Sequence, residues 1–512
     1  MSTALSWTEL RTSQEDLGSL LAFRGSALSR AGRLRLRMAG AIVLLLTIAA
    51  VIGPAYLGGE TPRVKSGSLL ALLPSLCLGF LVLAVFTAVA SAGGREIVPR
   101  EEAVTFPVSS TTDHLGALLL APLNIAWVSQ AWALLGITSY ALGPERLLLY
   151  IAPVVLWLVA STALAQVVGW IAEGVRRGPY GIATFRAVVL LLALAVGALV
   201  MTDRLTPLLD SSPTHRILVL VLDGQAGRWV SWGTGLLALV LIGFGAAVLG
   251  ALPARWALNR PMREELRLES GHRPPRVNAG SSFIMMLRID RAAVWRSVPL
   301  RRGLMVLAIL PGAVAVAGNL EWRMLTILPG LVASGCALLF GVNTWCLDGR
   351  GALWRDSLPV SPRMVFFARG AVLLEVLLCS AAVTLALAAL RAGPPTAAEL
   401  TALICSVLVV STQVVSASMR WSIARPFSVD LRSARSTPAP PVVMAGYSAR
   451  LAVTTTLTGL LFSGLAQLDG VRYAVSTAVA LLLWSAWRLE RTAQRWEDPV
   501  IRSRVISVVS GG

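Results

Sequence analysis

The chain has 512 residues, 55% of them hydrophobic and 14% charged, with a formal net charge of +18. A soluble protein of this size cannot hide that much apolar surface in one core, so the composition points to lipid as the solvent. Such a basic excess would suggest nucleic acid in a soluble chain. Here arginine gathered on the inner loops of a membrane protein accounts for it, and no nucleic-acid partner is expected.

Apolar runs of about 18 or more residues recur along the chain, each long enough to cross a hydrocarbon core of roughly 30 Å. They are continuous rather than alternating, which excludes a transmembrane barrel. The expected fold is therefore an all-α polytopic membrane protein.

In chain order, residues 1–37 read as a cytoplasmic N-terminal segment. Leu17, Leu20, Leu21 and Phe23, followed by Arg24, Arg30, Arg33, Arg35 and Arg37, predict an amphipathic helix on the inner membrane surface. No cleavable signal peptide is expected, because the first apolar run continues to full spanning length. Residues 38–256 then hold spans near 38–57, 69–92, 115–140, 148–172, 187–201 and 229–252. Between the last two, residues 203–228 carry Pro207, Pro213 and an apolar run from Ile217 to Leu222 that is too short to cross, so a re-entrant or interfacial piece is expected.

Residues 257–302 form a basic cytoplasmic linker interrupted by Pro274 and Pro275. Its latter part, from Phe283 to Arg302, mixes apolar residues with arginine as residues 20–37 do, and predicts a second amphipathic helix. Residues 303–488 repeat the order, with spans near 303–317, 325–346, 364–390, 397–419, 451–468 and 471–487. Residues 489–512 read as a polar, basic tail. The expectation is about twelve transmembrane helices in two tandem six-helix halves. With the N-terminus inside, most arginines fall on inner segments, so both termini are expected in the cytoplasm and the chain in the cytoplasmic membrane.

The residues for chemistry are sparse. His114, His215 and His272 lie on separate loops, and no metal site is expected from them. Cys77, Cys336, Cys346, Cys379 and Cys405 sit in or beside apolar runs without ligand spacing and read as small packing residues. There is no Gly-x4-Gly-Lys-Ser/Thr stretch, and the single lysine, Lys65, lies in a predicted outer loop. The chain is therefore expected to be no enzyme and to hold no cofactor; if ATP and Mg drive it, they bind a partner.

Two short segments recur at the same place, between the second and third spans of each half. Glu101 and Glu102 precede Phe106-Pro107-Val108-Ser109; Trp354, Arg355 and Asp356 precede Leu358-Pro359-Val360-Ser361. Each predicts a short charged helix, a proline break and a serine able to cap the next helix. Inside the spans Glu375 stands out, because a carboxylate there is costly unless it is paired or faces a cavity. Asn124, Gln130, Gln166, Asn343 and Gln413 complete the polar candidates for a substrate pathway, with helix–helix hydrogen bonding as their alternative role.

With these segments in view, the chain resembles the permease subunit of a type-2 ABC exporter with a type V, ABCG-like transmembrane domain, as two fused copies. The resemblance implies a surface helix before the first span of each half and a coupling helix between the second and third. It implies coupling roles for Glu101, Glu102, Phe106, Pro107, Val108 and Ser109, and for Trp354, Arg355, Asp356, Leu358, Pro359, Val360 and Ser361. The implied partners are a separate nucleotide-binding ATPase subunit in two copies, membrane lipid and an amphiphilic small molecule, peptide or lipid as substrate. It also implies a re-entrant element before the last span of each half; the turn from Leu468 to Val471 is too short to supply one. The alternative expectation is a proton-coupled secondary transporter using Glu375.

Overall fold

The computed structural model describes residues 7–27, 30–58, 69–91, 108–123, 125–202, 204, 207–208, 211–260, 280–318, 320–429, 439, 441–468 and 470–511. Among these the regular structure is all helical. The chain divides into two compact units, Met1–Arg263 and Glu264–Gly512.

Unit 1 contains α1 (Trp7–Ala27), α2 (Arg30–Gly58), α3 (Leu73–Ala90), α4 (Ser110–Leu120), α5 (Ile125–Leu142), α6 (Leu147–Arg176), α7 (Gly181–Met201), α8 (His215–Ala226), α9 (Trp229–Leu249) and α10 (Ala251–Leu258). The long helix α6 is its hub and packs against α3, α8, α9 and α10. The core is built there, from Leu73, Cys77 and Phe80 of α3, Tyr150, Val154 and Trp157 of α6, and Ile217 and Val221 of α8. The short helix α8 has only 12 residues, too few to cross a bilayer. Gly227 stops it in the left-handed conformation (φ 74°), where a side chain would be strained. Thr214, just before α8, donates to the Pro74 carbonyl at 2.9 Å, which pins α8 to the start of α3.

Unit 2 contains α11 (Ser282–Arg296), α12 (Val298–Ala317), α13 (Trp322–Leu325), α14 (Leu328–Leu339), α15 (Ala352–Asp356), α16 (Pro362–Ala388), α17 (Ala397–Ala424), α18 (Pro441–Leu465), α19 (Val471–Glu497) and α20 (Pro499–Ser510). Two 3-10 turns, Gly341–Leu347 and Gly349–Gly351, lead from α14 into α15. A bend of 83° separates α11 from the helix that follows. It falls at Ser297, which is extended, with Pro299 in the first turn of α12. The core draws on α11 (Met286, Val294), α14 (Cys336), α16 (Phe366, Leu373), α17 (Val414, Met419) and α20 (Val505, Val509).

Eight helical segments among the described residues are long and apolar enough to cross a membrane: Gly40–Gly58, Leu69–Ala90, Leu147–Arg176, Gly181–Leu199, Trp229–Leu258, Trp322–Leu347, Pro362–Ala388 and Ala397–Ala424. Many of their apolar side chains face outward, such as Leu44, Leu45, Leu190, Leu191 and Leu241. A chain with this many lipid-length helices is a multi-pass membrane protein.

The remaining expected spans differ in physical detail. The stretch at 115–140 is broken by a 3-10 turn at Ala121–Leu123, where Pro122 cannot continue the hydrogen-bond ladder. The stretch at 303–317 is helical within α12 and reaches lipid length only when counted across the 83° bend. Helices α18 and α19 are long but carry more polar residues, including Thr454, Thr455 and Thr458 in α18 and the arginine-rich end of α19. Of residues 489–512, read as a polar tail, 489–497 continue α19 and 499–510 form α20. Asp498 caps α20 by accepting from the Val500 N–H at 2.9 Å, with Pro499 at the first helical position.

Candidate functional site

The serines that end the two Pro-Val-Ser segments both stand at helix starts. Ser109 is extended and its hydroxyl accepts from the Thr112 N–H at 3.0 Å, opening α4. Ser361 is extended and accepts from the Met364 N–H at 3.3 Å, opening α16. Each serine thus satisfies one of the orphan donors of its helix.

In unit 1 the surface-type helix α1 reaches this point with polar rather than apolar residues. Ser13 is buried, and its hydroxyl lies 3.2 Å from that of Ser109. Glu9 accepts from the Thr111 hydroxyl at 3.2 Å and pairs with Arg255 of α10. Val108 is half-buried. Glu101, Glu102, Phe106 and Pro107 lie outside the described residues.

In unit 2 the whole element is visible, and α15 divides its residues between two directions. Leu353 and Trp354 point outward, 62% and 61% exposed. Arg355 turns inward and is buried. Its guanidinium grips Asp290 of α11 with both terminal nitrogens, Nη1 to Oδ1 at 2.5 Å and Nη2 to Oδ2 at 3.0 Å. Nη1 also donates to Asp348 Oδ1 at 2.9 Å. Arg369 of α16 closes the group: its Nη2 donates to Asp290 Oδ1 at 2.8 Å and to Asp348 Oδ1 at 2.7 Å, and its Nη1 to the Thr344 carbonyl.

The result is a neutral set of two aspartates and two arginines. Asp290 and Arg369 have no solvent exposure, and the side chains of Arg355 and Asp348 are 6% and 10% exposed. Four separate pieces of the chain meet there: α11, the turn after α14, α15 and α16. Two-pronged arginine–carboxylate bonds fix orientation as well as distance, so α15 is held rigidly against α11 and α16.

Burial pushes the Asp290 carboxyl up, but Arg369 and Arg355 outweigh it and hold the group below the usual carboxylate range. A carboxyl lowered on folding contributes stability that is complete above its unfolded value of about 3.9 and is lost as pH falls through the folded value. The midpoint of thermal unfolding should therefore show no Asp290-dependent change between about pH 7 and pH 5, then drop below about pH 4. Unfolding scans of wild type and Asp290→Asn across that range check this: the acid-side drop should be smaller in the variant.

The rest of the element rests on the core or is paired. Leu358 and Val360 pack against the unit 2 core, while Pro359 and Ser361 are exposed. Asp356 accepts from Arg502 Nε of α20 at 3.0 Å. Beside this pair lies a cleft of about 190 Å³, lined by Trp345, Arg355, Val360, Trp496, Arg502 and Val505 among others. Trp345 and Trp496 stack with centroids 3.9 Å apart and planes 5° from parallel, and neither buried indole N–H has an acceptor in the protein. The guanidinium carbon of Arg369 lies 5.3 Å from the Trp345 ring centroid.

Within unit 2 the expected pathway residues each have a separate partner. Glu375 pairs with Arg291 of α11, Nε to Oε2 at 2.7 Å. Asn343 is buried and donates through Nδ2 to the Phe427 carbonyl at 2.8 Å. Gln413 Oε1 accepts from the Thr458 hydroxyl at 3.1 Å. In unit 1 Gln166 is buried within α6 and Gln130 is half-buried in α5. Asn124 lies outside the described residues. The Glu375–Arg291 and Gln413–Thr458 pairs each join two helices, as hydrogen bonding between helices requires.

His114 is a packing group. Trp170 Nε1 donates to its Nδ1 at 2.9 Å, and its Nε2 donates to the Ala247 carbonyl at 2.9 Å. No cluster of His, Cys, Asp and Glu suited to a metal occurs among the described residues. All five cysteines are free; Cys379 is exposed and the other four are buried.

Sequence reasoning missed the Asp290–Arg369 half of the ion network and the role of α20. Arg369 was visible as a lone charge in the run Val365 to Ala371, and a buried arginine demands a carboxylate. No protein-family model, curated protein or solved structure matches the chain.

Proposed function

We propose that the chain is the membrane-embedded permease of an ATP-driven exporter of the type-2 ABC class, with units 1 and 2 as two six-span halves. A separate P-loop ATPase supplies the energy and docks on the two Pro-Val-Ser elements in the cytoplasm. The substrate is an amphiphilic molecule moved out across the cytoplasmic membrane.

The observation that carries this reading is the division of labour in α15. An exposed tryptophan and leucine on a five-residue helix form an apolar contact point of the kind that anchors protein interfaces. The next residue, Arg355, ties the same helix to α16 through Asp290, Asp348 and Arg369. A push on Trp354 is therefore delivered to a helix of membrane-spanning length rather than absorbed by a loose loop. The parallel order in unit 1 adds support: a helix before the first span, its contact with Ser109, and the capped start of α4.

Co-expression with each P-loop ATPase of the same genome tests the proposal. A stable complex with ATPase activity raised by the permease is expected. Failure of every such ATPase to bind would overturn it. Transport by the chain alone, abolished by a protonophore and by Glu375→Gln, would replace it with proton-coupled transport.

A further inference from the structure

We propose that the cleft between α15 and α20 binds a small carboxylate with a branched aliphatic body. Its volume is about 190 Å³. A cavity of about 150 Å³ already takes a molecule the size of benzene, so this one has room for roughly six to ten non-hydrogen atoms. Its walls come from the turn that holds Trp345 and Asp348, from α15, from the start of α16, from Trp496 near the end of α19, and from α20.

The polar part of the wall is one-sided. Nε1 of Trp345, Nε1 of Trp496 and Nε of Arg355 are buried N–H groups with no acceptor in the protein. The three residues are 3%, 3% and 6% exposed. The stack of the two indoles, with centroids 3.9 Å apart, places two of these donors on neighbouring rings. The carboxylates at the cleft are already engaged. Asp348 accepts from Arg355 at 2.9 Å and from Arg369 at 2.7 Å, and Asp356 accepts from Arg502 at 3.0 Å. The wall therefore has donors to spare and lacks acceptors. A buried N–H left unbonded is costly, so these three call for a ligand that brings oxygen. A single carbonyl oxygen has two lone pairs, whereas a carboxylate has about four and can answer all three donors. An ammonium group would only add donors.

The remaining wall sets the body of the ligand. Val360, Val365, Val505, Ile506 and Val509 give it an apolar side. The indole planes, 5° from parallel at 3.9 Å, leave no gap for a flat ring between them, which favours an aliphatic body. The donors are closed off from solvent, so binding turns the indole edges and the guanidinium toward the entering acid. Held this way, the ligand braces α15 against α20. The site stands whether or not α15 docks an ATPase.

The test uses the purified full chain in detergent with isotope-labelled tryptophan, titrated with 3-methylbutanoate and followed through the indole N–H resonances in NMR spectra. The variants W345F, W496F and W421F assign the signals. The Trp345 and Trp496 resonances are expected to shift and saturate, with a dissociation constant on the order of millimolar or tighter, as so small a ligand can reach. The Trp421 indole, also buried without an acceptor but outside the cleft, should not move. 3-Methylbutylamine, with the same carbon body and no oxygen, should leave all three in place. W496F keeps a stacking ring and removes one donor, so it should bind the acid about tenfold more weakly. No saturation with the acid, equal shifts with the amine, a matching shift at Trp421, or unchanged affinity in W496F would each overturn the site. If W496F fails to fold, the acid and amine titrations of wild type decide it alone.

Discussion

Asp290→Ala is expected to destabilise unit 2 by about 3–5 kcal/mol, the cost of leaving a buried ion group with an uncompensated charge. In wild type the two arginines and two aspartates balance. Removing Asp290 leaves Asp348 alone to answer Arg355 and Arg369, and Arg369 has no route to water. For a domain of this size the thermal midpoint should fall by roughly 10 °C, read by intrinsic tryptophan fluorescence in detergent. The double variant Asp290→Ala/Arg355→Ala restores balance by leaving one aspartate with Arg369, so it should lose less than the sum of the single variants. An unchanged midpoint in Asp290→Ala, or strict additivity in the cycle, would refute a shared buried network.

Trp354→Ala combined with Leu353→Ala should have the opposite profile. Both side chains are mostly exposed, so folding should change by no more than about 0.5 kcal/mol. Their loss removes the apolar anchor for the proposed ATPase, and truncating an interface anchor costs about 2–4 kcal/mol of binding. Affinity for the ATPase, measured by surface-immobilised permease, should fall roughly 30-fold or more. Transport should fall with it while the thermal midpoint holds. Full coupling in this variant would remove α15 from the docking surface. The pair of experiments separates the anchor of α15 from its outward face.

The parts of this architecture that sequence made visible are those governed by local rules. Long apolar runs became long helices because a bilayer permits little else. The serine caps at Ser109 and Ser361 were legible because an extended Ser before a helix satisfies an orphan N–H by itself. What escaped depends on distant segments. Arg355 and Asp356 looked like surface charges, yet their partners lie 65 and 146 residues away, at Asp290 and Arg502. Glu375 looked isolated in an apolar run, and its partner Arg291 is 84 residues away. Helix α20 was hidden because Arg502 and Arg504 interrupt its apolar residues, and only packing shows Val505, Ile506 and Val509 as one buried face.

The contact between α20 and α15 also bears on how the protein is made. Asp356 meets Arg502 across 146 residues of chain, and the cleft beside α15 gains its last wall from Val505 and Val509. During synthesis α15 emerges well before α20. The support of α15 is therefore incomplete until residues 499–511 have left the ribosome. A partner that recognises the braced form of α15 would bind chains whose residues 499–511 have emerged in preference to shorter nascent ones, giving assembly a built-in order.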